Sequence, residues 1–147
     1  MKISTKVEYG LVALIDIVAN SRNGEVVTVI SISERQGISK NYLEQILTPL
    51  RQAGLINGTK GAQGGYIITK KPENLKISTI LNALDSTLLN VTFDNSMKCD
   101  ESIIQAIGNN VWNKMDSNIN KIADNTTLAD LVEEYKNGAA SSAMFYI

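Results

Sequence analysis

The sequence predicts a mostly helical fold with one small β-hairpin, an α+β class, and three observations lead there. From Ile32 to Tyr66 the chain reads as two helices joined by a tight glycine turn, then a hairpin with a glycine-rich tip. On either side of that block, apolar residues recur at three- and four-residue steps, the period of helices with one buried face. From Glu101 to Ala123 the same period runs without interruption, so a long helix is expected there.

Each element has a local cause. Thr5-x-x-Glu8 has the form of a capping box, and Val7, Leu11, Leu14, Ile15 and Val18 make the stripe of a first helix ending near Ser21. Asn23-Gly24 marks a turn, and Val26 and Val27 are placed to add a short strand to the later hairpin. A second helix begins near Ile30; Ser33 to Gln36 closes it, and Gly37 supplies the left-handed residue that ends it. Ser39 caps a third helix, whose Leu43, Ile46, Leu47 and Leu50 face the core. Pro49 removes one backbone donor there, which costs about 3 kcal/mol where packing does not compensate and should bend or loosen the helix near Gln45. Leu55–Lys60 and Tyr66–Thr69 read as strands with Gly61, Gly64 and Gly65 between them. Pro72 and Asn74 close the hairpin, and Ile77, Ile80, Leu81 and Leu84 give another core-facing helix.

This order of parts is that of a winged helix-turn-helix. The outer face of the third helix carries Lys40, Asn41, Glu44, Gln45 and Arg51, side chains able to hydrogen-bond base edges or phosphates in a major groove. A tip with almost no side chain lets backbone approach a sugar-phosphate wall, with Lys60, Lys70 and Lys71 supplying charge. The competing reading is a helical hairpin and a β-hairpin whose polar faces are merely solvated. A nucleotide-binding loop fails on detail, since no Gly-Lys-Ser/Thr ending and no strand-then-helix context accompany the glycines. The charge is divided in a way that favours DNA. Residues 1–76 hold ten Lys and Arg against six Asp and Glu, +4, and residues 77–147 hold four against nine, −5, within a net charge of −1.

The acidic half has its own signature. Ile103, Ile104, Ile107, Val111, Met115, Ile119 and Ile122 form one apolar stripe on the long helix, which needs a partner along its whole length. A second copy of the chain supplies it in one reading, and an intrachain core in the other. Thr127–Tyr135 is a final amphipathic helix expected to lock over the pair. After Lys136 the chain turns small and polar, predicting a flexible tail that ends in Met144, Phe145, Tyr146 and Ile147. Those four apolar residues either fold back on the dimer or act as a peptide ligand whose terminal carboxylate is captured in a pocket.

Absent chemistry narrows the function further. With no histidine, Ser-His-Asp or Cys-His catalysis and His-ligated metals are excluded, and no enzyme is expected. The one cysteine, Cys99, is either a redox switch or an unreactive small side chain. Lys98 would lower its pKa while Asp100 and Glu101 would raise it. No apolar run spans a bilayer, and Met1–Lys6 leads straight into an amphipathic helix rather than a signal peptide, so a cytoplasmic protein is expected.

The segments ISERQGIS (32–39), YLEQIL (42–47), LRQAGL (50–55) and GAQGGY (61–66), in that order, resemble the Rrf family of winged-helix transcription regulators. The likeness runs from the first helix to about Leu84, and more loosely through the long helix. It implies a homodimer reading a palindromic operator, with Ser39, Asn41, Tyr42 and Gln45 facing DNA and Glu44 tuning base preference. The paired long helices would set the recognition helices one DNA turn apart, about 34 Å. The wing position usually held by Arg is Lys60 here, which keeps the charge but loses the bidentate fork. Several family members hold an iron–sulfur cluster through three closely spaced cysteines; only Cys99 stands in that region, so no cofactor is expected. The Ile147 ending is similar to the Ile-terminated tail by which serine acetyltransferase occupies O-acetylserine sulfhydrylase (cysteine synthase). Within the family this implies a repressor of cysteine and sulfur metabolism controlled by that enzyme.

The expected organisation is therefore a DNA-binding winged helix-turn-helix domain over 1–84, a linker, dimerisation helix and final helix over 85–136, and a tail over 137–147. Two other functions stay open: a thiol-based redox regulator acting through Cys99, and a protein-interaction module that does not bind DNA.

Overall fold

A computed structural model describes residues 1–61, 64–93 and 96–145, with no account of side chains beyond Ser141. The chain runs α1 (Thr5–Asn20), α2 (Val29–Gln36), α3 (Lys40–Gln52), β1 (Ile56–Thr59), β2 (Gly65–Ile68), a 3-10 turn (Pro72–Asn74) and α4 (Ile77–Leu84). There follow α5 (Glu101–Ile107), a π-helical turn (Gly108–Trp112), α6 (Asn113–Asn125) and α7 (Leu128–Phe145). Mostly helical with one antiparallel hairpin, it is the fold class that the sequence predicts.

The helix-turn-helix forms where its local signals stand. The Oγ of Thr28 accepts a hydrogen bond from the Ser31 amide (3.1 Å) to start α2, and that of Ser39 accepts from Tyr42 (3.2 Å) to start α3. Gly37 ends α2 at φ 67°, the left-handed conformation that costs a residue with a Cβ about 1–2 kcal/mol. Leu43, Ile46, Leu47 and Leu50 are fully buried, and α3 continues through Pro49 to Gln52. The first cap differs from expectation. Ser4, not Thr5, accepts from the Val7 amide (3.3 Å), so Thr5 and Glu8 form no capping box and the helix simply begins one residue after its cap.

One buried charge ties α1 to α2. Asp16 is 2% exposed, and its two carboxylate oxygens accept from Nε (2.9 Å) and a terminal nitrogen (2.7 Å) of Arg35, with Gln36 Nε2 donating a third bond (2.8 Å). That terminal nitrogen also reaches the Ser31 Oγ at 3.1 Å. The Arg35 pKa is raised, first by its hydrogen bond to Asp16 and against the opposing effect of burial.

The wing is a three-part sheet. β1 and β2 pair from Ile56↔Ile68 to Thr59↔Gly65, and Val27 adds an antiparallel bridge to Tyr66 through two bonds of 2.8 Å. Val27 does what the sequence suggests, and among the described residues Val26 forms no such bridge.

The second half departs most from expectation. The helix expected from Glu101 to Ala123 is α5 and α6 joined by the π turn, which reaches Asn125. Its polar side packs inward: Asp116 accepts from the Val91 amide (3.1 Å), and Asn120 Nδ2 donates to the Leu89 carbonyl (3.0 Å). Helix α7 uses its apolar face within its own protomer, where Leu128 and Val132 join the core of Leu14, Ile17 and Leu75. The flexible tail expected from Asn137 is corrected, because α7 continues as helix to Phe145. Ala139, Ala140 and Ala143 have the helix-favouring character that outweighs Gly138, Ser141 and Ser142. Tyr146 and Ile147 lie outside the described residues, as do the side chains of Met144 and Phe145.

Replacing Arg35 with Ala would leave the Asp16 carboxylate buried and one partner short. The expected loss is about 3 kcal/mol, the low end for a broken buried pair because Arg35 keeps 38% of its side chain exposed. Urea denaturation of the full chain measures it, and a loss below about 1 kcal/mol would show that Gln36 alone satisfies Asp16.

Candidate nucleic-acid interface

The polar face of α3 is exposed because its opposite face is committed to the core. Ser39, Lys40, Asn41, Glu44 and Gln45 are all exposed. Tyr42 is half-buried: it packs on the core and meets the Tyr9 ring edge-on, with centroids 5.7 Å apart. Of the residues expected on this face, Tyr42 is thus the one held most by protein. The Ser39 hydroxyl already accepts the helix-capping bond, which leaves its proton free to donate outward.

A groove of about 460 Å³ separates α3 from the wing. Lys40, Glu44 and Arg51 line one wall, Gly58 to Gly61 the other, and Thr28 and Ile30 close one end. Lys60 is exposed on the wing, so two lysines and an arginine flank one channel with a single carboxylate between them. Such a channel suits a sugar-phosphate backbone. The set of expected contacts underrates Arg51, although its spacing from Lys40 and Glu44 already places it on one helical face. Ile30 and Thr28 carry no such signal. Ile30 is 57% exposed, and it reaches the groove because the Val27–Tyr66 bridge ties the chain just before α2 to the wing.

The wing glycines divide by role. Gly61 has φ 108°, and among the described residues nothing lies within 4 Å of where its Cβ would be. A Cβ on Gly64 would lie 2.3 Å from the Thr59 carbonyl oxygen, and one on Gly65 2.5 Å from that of Val27. Gly65 is buried. Those two are bare because the wing's own backbone needs the space, whatever else they do.

The stripe expected for dimerisation lies outside this groove. Ile103, Ile107, Val111, Met115 and Ile122 are exposed, Ile104 and Ile119 half-buried, and Trp112 beside them is 38% exposed. Cys99 is exposed in a separate groove beside Met97, Glu101, Ile104 and Asn109.

The family model described as "Iron-dependent Transcriptional regulator", Rrf2, matches residues 3–134. The chain belongs to the Rrf2 family of transcriptional regulators. It is 34% identical to the HTH-type transcriptional regulator CymR of Bacillus subtilis over all of both chains. It is 32% identical to IscR of Cereibacter sphaeroides, covering all of this chain and 97% of that one. Among solved structures, CymR, the global cysteine regulator of B. subtilis, superposes with a TM-score of 0.76 at 30% identity, over 91% of this chain and 98% of the other. IscR of T. potens superposes with a TM-score of 0.71 at 36% identity, over 94% and 90%. The relatives it matches are transcriptional regulators, and no helix among the described residues is long and apolar enough to cross a membrane.

The family description names iron, and the residues present do not fit an iron–sulfur cluster. Cys99 is the sole cysteine in the chain, and no group of three or more His, Cys, Asp or Glu that would hold a metal stands together among the described residues.

Substituting Gly65 with Ala should push β2 away from Val27. A loss of about 1–3 kcal/mol is expected, as for other overpacked sites. The midpoint of thermal unfolding reads it, and an unchanged midpoint would mean that the wing opens freely.

Proposed function

We propose that the chain binds a palindromic operator as a homodimer and represses genes of cysteine and sulfur metabolism, under the control of O-acetylserine sulfhydrylase. The observation that carries DNA binding is the pairing of two faces on one helix: Leu43, Ile46, Leu47 and Leu50 fully buried, with Lys40, Asn41, Glu44 and Gln45 exposed beside a cationic groove. In this reading Ser39, Asn41, Tyr42 and Gln45 enter the major groove and Glu44 filters base preference. Lys40 and Lys60 meet phosphates, and Gly61, Gly64 and Gly65 shape the tip of the wing that carries Lys60.

The dimer reading rests on the ridge of Ile103, Ile107, Val111, Met115 and Ile122. Its exposure on a folded protomer is a cost that a second copy removes. Support for the enzyme partner is the ending Met144-Phe145-Tyr146-Ile147, together with likeness to a protein described as a global cysteine regulator. Helix α7 is exposed from Glu133 to Ser141, so it leads the chain away from the core towards that ending. Enzyme bound there favours the DNA-bound form, and O-acetylserine competing for the enzyme pocket relieves repression. Such control needs a coupling of about 1–3 kcal/mol.

Two measurements test the two halves. Gln45→Ala should relax base preference at one operator position, worth about 1–3 kcal/mol, while Lys60→Ala weakens all duplexes and lowers the salt slope by about one. Equal binding of wild type and both variants, at every salt concentration, would leave the protein-interaction reading standing. For the partner, a pull-down with O-acetylserine sulfhydrylase should succeed with the full chain and fail without Tyr146 and Ile147. Retention of both forms, or of neither, would remove the enzyme from the reading and leave DNA binding untouched.

A further inference from the structure

On its core side the recognition helix is held by Leu43, Leu47 and Leu50, all fully buried, while its first turn also carries exposed Lys40 and Asn41 on the outer side. Two contacts reach that turn from outside the core: the Ser39 cap, and the Tyr42 ring that meets Tyr9 of α1 at 80° between ring planes. Pro49 removes the amide that would bond the Gln45 carbonyl, so the ladder joining the two halves of α3 lacks one rung.

Tyr9 and Asp16 stand seven residues apart on α1, within about 20° of one another on its surface. Asp16 grips Arg35 and Gln36, the last residues of α2, and Tyr9 meets the first turn of α3. One face of α1 thus brackets the turn at Gly37 from both sides. Tyr9 is 37% exposed and lies outside the buried core, and its ring meets that of Tyr42.

We infer that Tyr9 is a positioning residue for sequence recognition: its ring, acting through Tyr42, holds the first turn of α3 in the orientation that meets base edges. The inference rests on the DNA-binding reading above. It predicts a loss falling mainly on specific binding, because Arg51, Lys60, Lys70 and Lys71, which supply most of the charge for non-specific affinity, lie outside the turn that Tyr42 holds. An aromatic edge-to-face contact is directional, and an aliphatic side chain of similar bulk does not reproduce it.

The test uses the full chain and a duplex selected by the wild type from a random-sequence pool, with a scrambled duplex of the same composition as control. Tyr9→Leu should bind the selected duplex about fivefold more weakly and the scrambled duplex as wild type does. Tyr9→Phe should match wild type on both, since the ring and not the hydroxyl makes the contact. In a Tyr42→Leu background, Tyr9→Leu should cause no further loss. Undiminished binding by Tyr9→Leu overturns the inference, as does an equal loss on both duplexes, which marks a general loss of structure. A Tyr9→Phe protein as weak as Tyr9→Leu also overturns it, in favour of a direct hydroxyl contact with DNA. If the wild type enriches no sequence, the DNA-binding reading fails and this inference with it, a result recognisable without any variant.

Discussion

A carboxylate buried between two helices fixes the geometry on which the rest of this protein depends. Asp16 sits in α1 with its side chain out of water, where Arg35 and Gln36 satisfy both of its oxygens. The two donors are consecutive residues at the end of α2, so the bond pins not just a helix but the point where it stops. From that point Gly37 turns the chain, Ile38 is buried, and Ser39 begins the recognition helix. The raised Arg35 pKa means that the guanidinium's share of the clamp is present below the usual guanidinium range and is lost only as pH climbs through a still higher value.

Around this clamp the chain separates its tasks by surface chemistry. The core of α1, α3, α4 and the wing is closed by Leu128 and Val132 of α7, which gives the DNA-binding half a complete interior. The basic groove lies on one side of that interior, and the exposed ridge of α5 and α6 belongs to the acidic half. Apolar packing contributes little to how α6 is held. Among the described residues only Ala123 of α6 is buried, while Asp116 and Asn120 anchor the preceding loop through its backbone. Asp116 and Asn120 turn inward there beside half-buried Ile119, while Met115 and Ile122 stay exposed.

Much of the fold was legible because it is written in short-range patterns. The stripe of α3, the cap at Ser39, the turn at Gly37 and the strands of the wing each depend on residues within a few positions of one another. The failures arose where neighbouring residues competed. Ser4 and Thr5 both make good caps, and only the path of the preceding chain selects Ser4. The run of alanines and serines after Lys136 has the polarity of a tail, but its helix propensity governs. Three glycines looked alike in the hairpin, but Thr59 and Val27 crowd two of them.

The sequence by itself determined the class of the fold, the recognition helix and its two faces, the family, and the exclusion of histidine chemistry, since each follows from residue identity and local spacing. How the distant helices meet settles that Asp16 belongs with Arg35, that Tyr9 belongs with Tyr42, that α7 serves its own protomer's core, and that Ile30 opens onto the groove between α3 and the wing. The physical reason is the same in each case. A side chain's hydrogen-bonding or packing capacity is set by its own chemistry, whereas the partner that meets it is set by how distant helices cross.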